Sequence, residues 1–403
     1  MPTYARGQIV IEDEVGVYHC VARCVRRAYL CGIDSYTGKD FSHRKEWILD
    51  RMRELAGLFA IEVCGYSVMS NHLHLVLRNR PDIAGQWSDD EIALRWCRLF
   101  PPRDDATGQP VEPGGYDLAM ITANAERLAE VRKRLANLSW FMRCLCEKIA
   151  RTANHEDGCA GRFWAGRFKS VALLDEAAIL ACSVYVDLNP IRAGIATTPE
   201  QSAYTSGRDR IRGMLEAQTP LTSEDAASLI EPCERPDDWL CVLTLREKAT
   251  EPTCTTADRA ASIPQNSDSQ TGPGVTAVAD AVTGAWPTAE SGPFVGVAVE
   301  APRLRPVRAS DQGYLPIEVE HYVRLLDWTG RELRADKRGA IPDHLAPIVE
   351  RLGLDRSNWV ETVRGFGRLF KQAAGRSSSL VDAAARRSRR WFQGKAAART
   401  AFV

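Results

Sequence analysis

Ser70-Asn71-His72-Leu73-His74-Leu75-Val76-Leu77 is the stretch on which the reading of this chain turns. Successive side chains of a β-strand point to opposite faces, so Leu73, Leu75 and Leu77 enter a core while His72 and His74 share the other face. Two imidazoles about 7 Å apart along one strand face can hold a single divalent metal ion. Spacing alone equally allows two histidines on a solvated strand face. Working outward, Ile61-Glu62-Val63-Cys64-Gly65-Tyr66-Ser67-Val68-Met69 reads as a second strand, joined to the first by a Ser-Asn turn. Upstream, Ile48, Met52, Leu55 and Phe59 share one face at helical spacing, with Ser42 placed to cap that helix. The stretch from Val17 to Val25, VYHCVARCV, alternates as a half-buried strand. Residues 15–79 are therefore predicted as strand, helix, strand, strand.

Downstream, residues 80–137 are polar and irregular and read as an insertion with one or two helices. A long helix is expected over 138–152, then a strand in RFWAGRFKSVAL (162–173). Asp175 opens a further helix, EAAILACSVYVDL, which should stop before Asn189-Pro190. The 403 residues are enough for two or three domains. They divide into a domain over 1–205 carrying the 80–137 insertion, a helical extension over 206–250, and a Thr/Ser/Ala/Gly/Pro-rich linker over 251–311. A small helical domain over 312–378 and a basic tail over 379–403 complete the chain.

Lys and Arg number 52, as do Asp and Glu, so any nucleic-acid contact must come from local basic stripes rather than from net charge. No run of about 18 apolar residues marks a membrane span, and the N-terminus lacks the apolar core of a signal peptide, so the protein is expected in the cytoplasm, away from membranes. The twelve cysteines are scattered without the doubled CxxC spacing of a structural zinc site, as buried free thiols are.

A second constellation is Tyr185-Val186-Asp187-Leu188-Asn189-Pro190. On a helix, Tyr185 and Asn189 would share a face. A tyrosine hydroxyl is a poor nucleophile at its free pKa near 10, and a metal that polarises the target phosphate compensates for this. The plainer reading makes Tyr185 a core or rim residue.

VMSNHLHLVLR, GRFWAGRFKS and YVDLNPIRAG, in that order, resemble the HUH-type single-tyrosine transposases of the insertion-sequence-200-like superfamily, and within it the REP-associated tyrosine transposase branch. The early CVRRAYLCG resembles a longer-chain subgroup of that branch. The match covers about residues 10–205. The resemblance implies an α+β fold, a ferredoxin-like antiparallel sheet with helices on one face (the HUH endonuclease fold), here followed by a C-terminal helical module. It makes His72 and His74 a metal-binding pair, Asn189 the third ligand and Tyr185 the nucleophile. The implied reaction nicks and joins single-stranded or hairpin DNA through a 5′-phosphotyrosine, with Mg²⁺ or Mn²⁺. Imidazole ligands suit Mn²⁺ better than Mg²⁺, which prefers oxygen. A monomer and a homodimer are both compatible with the family. The long insertion and the extra C-terminal region depart from its pattern.

Arg23, Arg26, Arg27, Arg162, Arg167 and Lys169 are the candidate DNA contacts. Trp164 is either a base-stacking platform or part of the core, while Phe163 and Phe168 read as core. Arg386, Arg387, Arg389 and Arg390 would add salt-dependent affinity. His19 reads as a neighbour of the site rather than a ligand, His43 and His155 as helix-end residues, and Asp175 with Glu176 as helix N-terminal charges. Two other functions stand beside the strand transferase: a domesticated hairpin-binding protein that moves no DNA, and a His-x-His metal hydrolase. The matched Tyr185 and Asn189 favour the transferase over the binder. The shortage of further His, Asp or Glu ligands at strand ends disfavours the hydrolase.

Overall fold

A computed structural model describes residues 9–25, 30–33, 38–218, 235–244, 308–333, 356–389 and 391–402. Arg26, Arg27, Arg390 and residues 251–307 of the expected linker lie outside the described residues. The chain divides into two compact units, Met1–Arg246 with Arg305–Val403, and Glu247–Leu304. All described residues belong to the first.

The fold is mixed α+β around a five-stranded sheet. Strand β1 (Gly16–Arg23), helix α1 (Arg44–Leu58), strand β2 (Ile61–Val68) and strand β3 (His72–Asn79) follow in the expected order. The insertion holds four helices, not one or two: α2 (Pro81–Gln86), α3 (Asp89–Leu99), α4 (Gly115–Thr122) and α5 (Ala125–Leu135). Then come α6 (Leu138–Glu156), β4 (Lys169–Leu173), α7 (Glu176–Asp187), α8 (Asn189–Arg192) and α9 (Ser206–Gln218). The C-terminal part supplies α10 (Val319–Leu333), α11 (Arg356–Leu369), the short β5 (Ala373–Ala374), α12 (Ser377–Arg386) and α13 (Lys395–Ala401).

The strand order is β2-β3-β1-β4-β5, antiparallel except for the β4–β5 pair. Leu73, Leu75 and Leu77 enter one core with Ile48, Met52 and Leu55 of α1 and Phe141 and Leu145 of α6. The expectation of helices on one face is corrected by the other side. Val17, Val76, Val171 and Leu173 form an apolar second face, which joins a core with α7, α10 and α11. Leaving that face in water would expose four branched side chains, so the C-terminal helices cover it. The segment expected as a small separate domain therefore shares its core with the sheet. Trp359, Val363, Phe366 and Phe370 are all at most 1% exposed. At roughly 1.5–3 kcal/mol each, their burial favours the docked C-terminal segment by on the order of 6–12 kcal/mol before ordering entropy. The segment expected as a basic tail is likewise ordered into α12 and α13.

Local chemistry explains two boundaries. Ser42 does not cap α1: the helix starts at Arg44 after His43, and the Ser42 amide instead donates to Asp40 Oδ1. Asp175 does cap α7, its Oδ1 accepting from the Ala178 amide at 3.0 Å. Among the described residues no helix is long and apolar enough to cross a membrane. Every described cysteine is free.

Candidate functional site

Register places the site at one end of the sheet. Across β1 and β3, Val21 lies opposite His74 and Arg23 opposite His72; across β1 and β4, Val21 lies opposite Lys169. Opposed residues project to the same side, so His72, His74, Arg23 and Lys169 share the face that α7 covers. His19, two residues before Val21, joins them. The His72 and His74 rings meet edge-on at 4.8 Å, and the His19 and His74 rings stack at 5.1 Å.

The ring nitrogens have defined neighbours. His72 Nδ1 lies 2.6 Å from Asn71 Oδ1. That oxygen only accepts, so Nδ1 carries the proton and the neutral ring keeps a lone pair on Nε2. His74 Nδ1 lies 2.9 Å from His19 Nε2. A His74 proton donated there leaves His74 Nε2 as its acceptor, the orienting arrangement typical of metal-binding histidines. Burial holds His19 down to about 4. Burial, with the Arg23 charge adding to it, holds His72 down to about 4. Burial also drives His74 well below the usual imidazole range, helped by His19, His72 and Arg192. Neutral imidazole is the form that ligates metal.

Tyr185 comes to this group from α7. Its ring lies 5.6 Å from His74 and 5.8 Å from His19, both edge-on, and the residue is 8% exposed. Asn189 does not continue the same helical run. Helix α7 ends at Asp187 and α8 begins at Asn189 with Pro190 in its first turn; proline lacks the N–H and crowds the carbonyl four residues back. Asn189 is buried, its Nδ2 has no partner, and its Oδ1 accepts from Arg192 Nη1 at 3.4 Å. The Arg192 guanidinium also sits 4.6 Å above the Tyr185 ring. Asn189 thus reaches the tyrosine through Arg192, and no hydrogen bond joins it to either histidine among the described residues. No group of three or more His, Cys, Asp or Glu placed to hold a metal occurs among the described residues. Two imidazole nitrogens are donors an ion could use; Asn189 would add only its Oδ1, which here accepts from Arg192, because the unpartnered Nδ2 has no lone pair to give.

The sequence reading missed several participants. Asp187, between Tyr185 and Asn189, is 1% exposed; it accepts from Ser206 Oγ, from the Gly207 amide at 2.8 Å and from Tyr322 Oη at 2.6 Å. Burial pushes its carboxyl up. These bonds tie the end of α7 to α9 and α10. The available signal was an ionisable residue inside an otherwise apolar helix. Phe366 of α11 packs 5.6 Å from the Tyr185 ring, and Arg192 Nη2 donates to the Arg364 carbonyl at 2.8 Å.

The expected DNA contacts separate into two groups. Arg23, Arg162, Arg167 and Lys169 are exposed, and their side chains make no hydrogen bond or ion pair among the described residues. The loop carrying Arg162 and Arg167 runs beside the end of β1, where the Ala165 amide donates to the Arg23 carbonyl at 2.7 Å. Trp164 is half-buried instead: its Nε1 donates to the Cys146 carbonyl at 2.8 Å and its ring packs edge-on to Phe163 at 5.2 Å. Phe163 is core, as expected. Arg387 donates to the Ile9 carbonyl and, like Arg389, lies over the Phe392 ring. Those two arginines lie at the end of the sheet away from His72.

No family model matches the chain, and no curated protein matches it. Among solved structures, the chain is similar to a REP-associated tyrosine transposase bound to a REP hairpin. The identity is 13%, over 53% of this chain and 87% of that one, with a TM-score of 0.30.

Proposed function

We propose that this protein is a single-strand DNA nicking and joining enzyme of the HUH type, a transposase with Tyr185 as its nucleophile. The observation that carries the reading is the meeting of His72, His74 and Tyr185 on one sheet face, with Nδ1 of each histidine already engaged by a neighbour. The β2-β3-β1-β4 order, antiparallel throughout, supports the ferredoxin-like core of that fold.

His72, His74 and Asn189 would hold a divalent cation, Mg²⁺ or Mn²⁺, which when bound would polarise the scissile phosphate. Arg23 and Lys169, exposed beside the histidines, bind the flanking phosphates, and Arg162 and Arg167 extend the basic edge. Tyr185 Oη attacks phosphorus and loses its proton. The P–O3′ bond breaks, the leaving oxygen takes a proton to become a 3′-OH, and the 5′ side stays as a phosphotyrosine. Attack by another 3′-OH reverses the exchange, so joining needs no external energy.

Incubation with hairpin-bearing single-stranded DNA and Mn²⁺ tests the reading, with covalent adduct scored on denaturing gels. Wild type should form the adduct. The His72→Ala variant should bind the same DNA with little change and form none. Adduct formation by His72→Ala at the wild-type rate would rule out its metal role. DNA binding by wild type with no adduct on any hairpin substrate would favour the hairpin-binding alternative.

A further inference from the structure

Gly367 gives the C-terminal segment a direct part in the site. It lies in the last turn of α11, where glycine is a poor helix former, and Gly365 lies two residues before it. A Cβ at Gly367 would stand 2.7 Å from Tyr185 Oη and 3.4 Å from Cζ. Only a residue without a side chain lets the α11 backbone come this close to the hydroxyl. Phe366, the neighbouring residue, packs on the Tyr185 ring at 5.6 Å and on His19 at 6.3 Å. Arg192, 4.6 Å over the Tyr185 ring, fastens α8 to α11 through the Arg364 carbonyl.

We infer that α11 is a fixed wall of the nucleophile's seat, with Phe366 and Gly367 as positioning residues that set where the Tyr185 hydroxyl lies relative to His74. The helix is anchored by Trp359, Val363, Phe366 and Phe370, which are fully buried in the core over the second sheet face. Such an anchor keeps α11 in place beside the hydroxyl through a reaction cycle. In-line attack needs the oxygen about 3–3.5 Å from phosphorus, and displacement by 1 Å can cost about a hundredfold in rate. The C-terminal segment therefore contributes to the rate of the chemical step through the position it gives the hydroxyl. This inference rests on the function proposed above.

The test uses the full chain with Gly367→Ala and, because that change crowds a helix, Phe366→Leu as a second variant. Two readouts are taken. With 3-fluorotyrosine at position 185, ¹⁹F NMR reports the ring's surroundings whether or not the protein cleaves DNA. The wild-type resonance should be a single line displaced by the Phe366 ring, and both variants should move it toward free fluorotyrosine. In single-turnover adduct formation, Gly367→Ala should lower the rate ten- to a hundredfold at saturating DNA, with DNA affinity and thermal unfolding within twofold and a few degrees of wild type. A ¹⁹F resonance unmoved by both variants overturns the inference, as does an unchanged or increased adduct rate in Gly367→Ala. Absence of adduct from wild type would instead fall on the proposed function, and the NMR readout would still decide the seat.

Discussion

His19 Nε2 lies 2.9 Å from His74 Nδ1, with the two rings stacked nearly parallel on neighbouring strands. The bond engages His74 Nδ1 and so restrains the ring. Removal of such an outer partner typically weakens metal binding 10–100-fold. The expected result for His19→Ala is about that loss in Mn²⁺ affinity by calorimetry, with His19→Gln recovering part of it. An affinity equal to wild type in His19→Ala would remove the orienting role.

The same burial makes the metal-free fold sensitive to acid. His19 and His72 are held down to about 4, against 6.5 for an exposed imidazole. Between those values the unfolded chain binds more protons than the fold, so stability falls as pH drops from 6.5 toward 4. Thermal unfolding with chelator present should show the midpoint decreasing across that window, and His19→Gln should flatten the decrease. A midpoint independent of pH from 6.5 to 4 would contradict the buried neutral histidines.

Asp187 accepts three hydrogen bonds where α7, α9 and α10 meet. Asp187→Ala strands their donors in the core and should cost on the order of 3 kcal/mol in denaturant unfolding. A change under about 0.5 kcal/mol, the size of an ordinary surface substitution, would mean the bonds contribute nothing net.

Arg23 and Lys169 flank the histidines without partners among the described residues. If each neutralises a phosphate, its alanine variant should weaken DNA binding across sequences and lower the slope of log affinity against log salt by about one. Loss confined to one DNA sequence would point to base reading instead.

The β1-α1-β2-β3 order could be read from the sequence because the signals are local: alternation in VYHCVARCV and HLHLVLR, and helical spacing from Ile48 to Phe59. The Asp175 cap was legible for the same reason. The return of α11 across about 170 residues to cover Tyr185 was not, since its apolar stripe says that it packs and not where. His19 became a partner of His74 only through cross-strand register. Trp164 looked equally suited to stacking and packing until the Cys146 carbonyl appeared beside its Nε1. Tyr185 and Asn189 read as one helical face because the spacing suits it; the helix is interrupted at Leu188 between them, and Arg192 contacts both.

The most direct measurement is the identity of the residue that becomes linked to DNA. Wild-type protein is incubated with hairpin-bearing single-stranded DNA and Mn²⁺, digested with protease and nuclease, and its peptides are examined by mass spectrometry. The expected result is a nucleotide attached through a 5′-phosphate to Tyr185, absent from the Tyr185→Phe variant. A nucleotide on another residue, or adduct persisting undiminished in Tyr185→Phe, would contradict the assignment of the nucleophile.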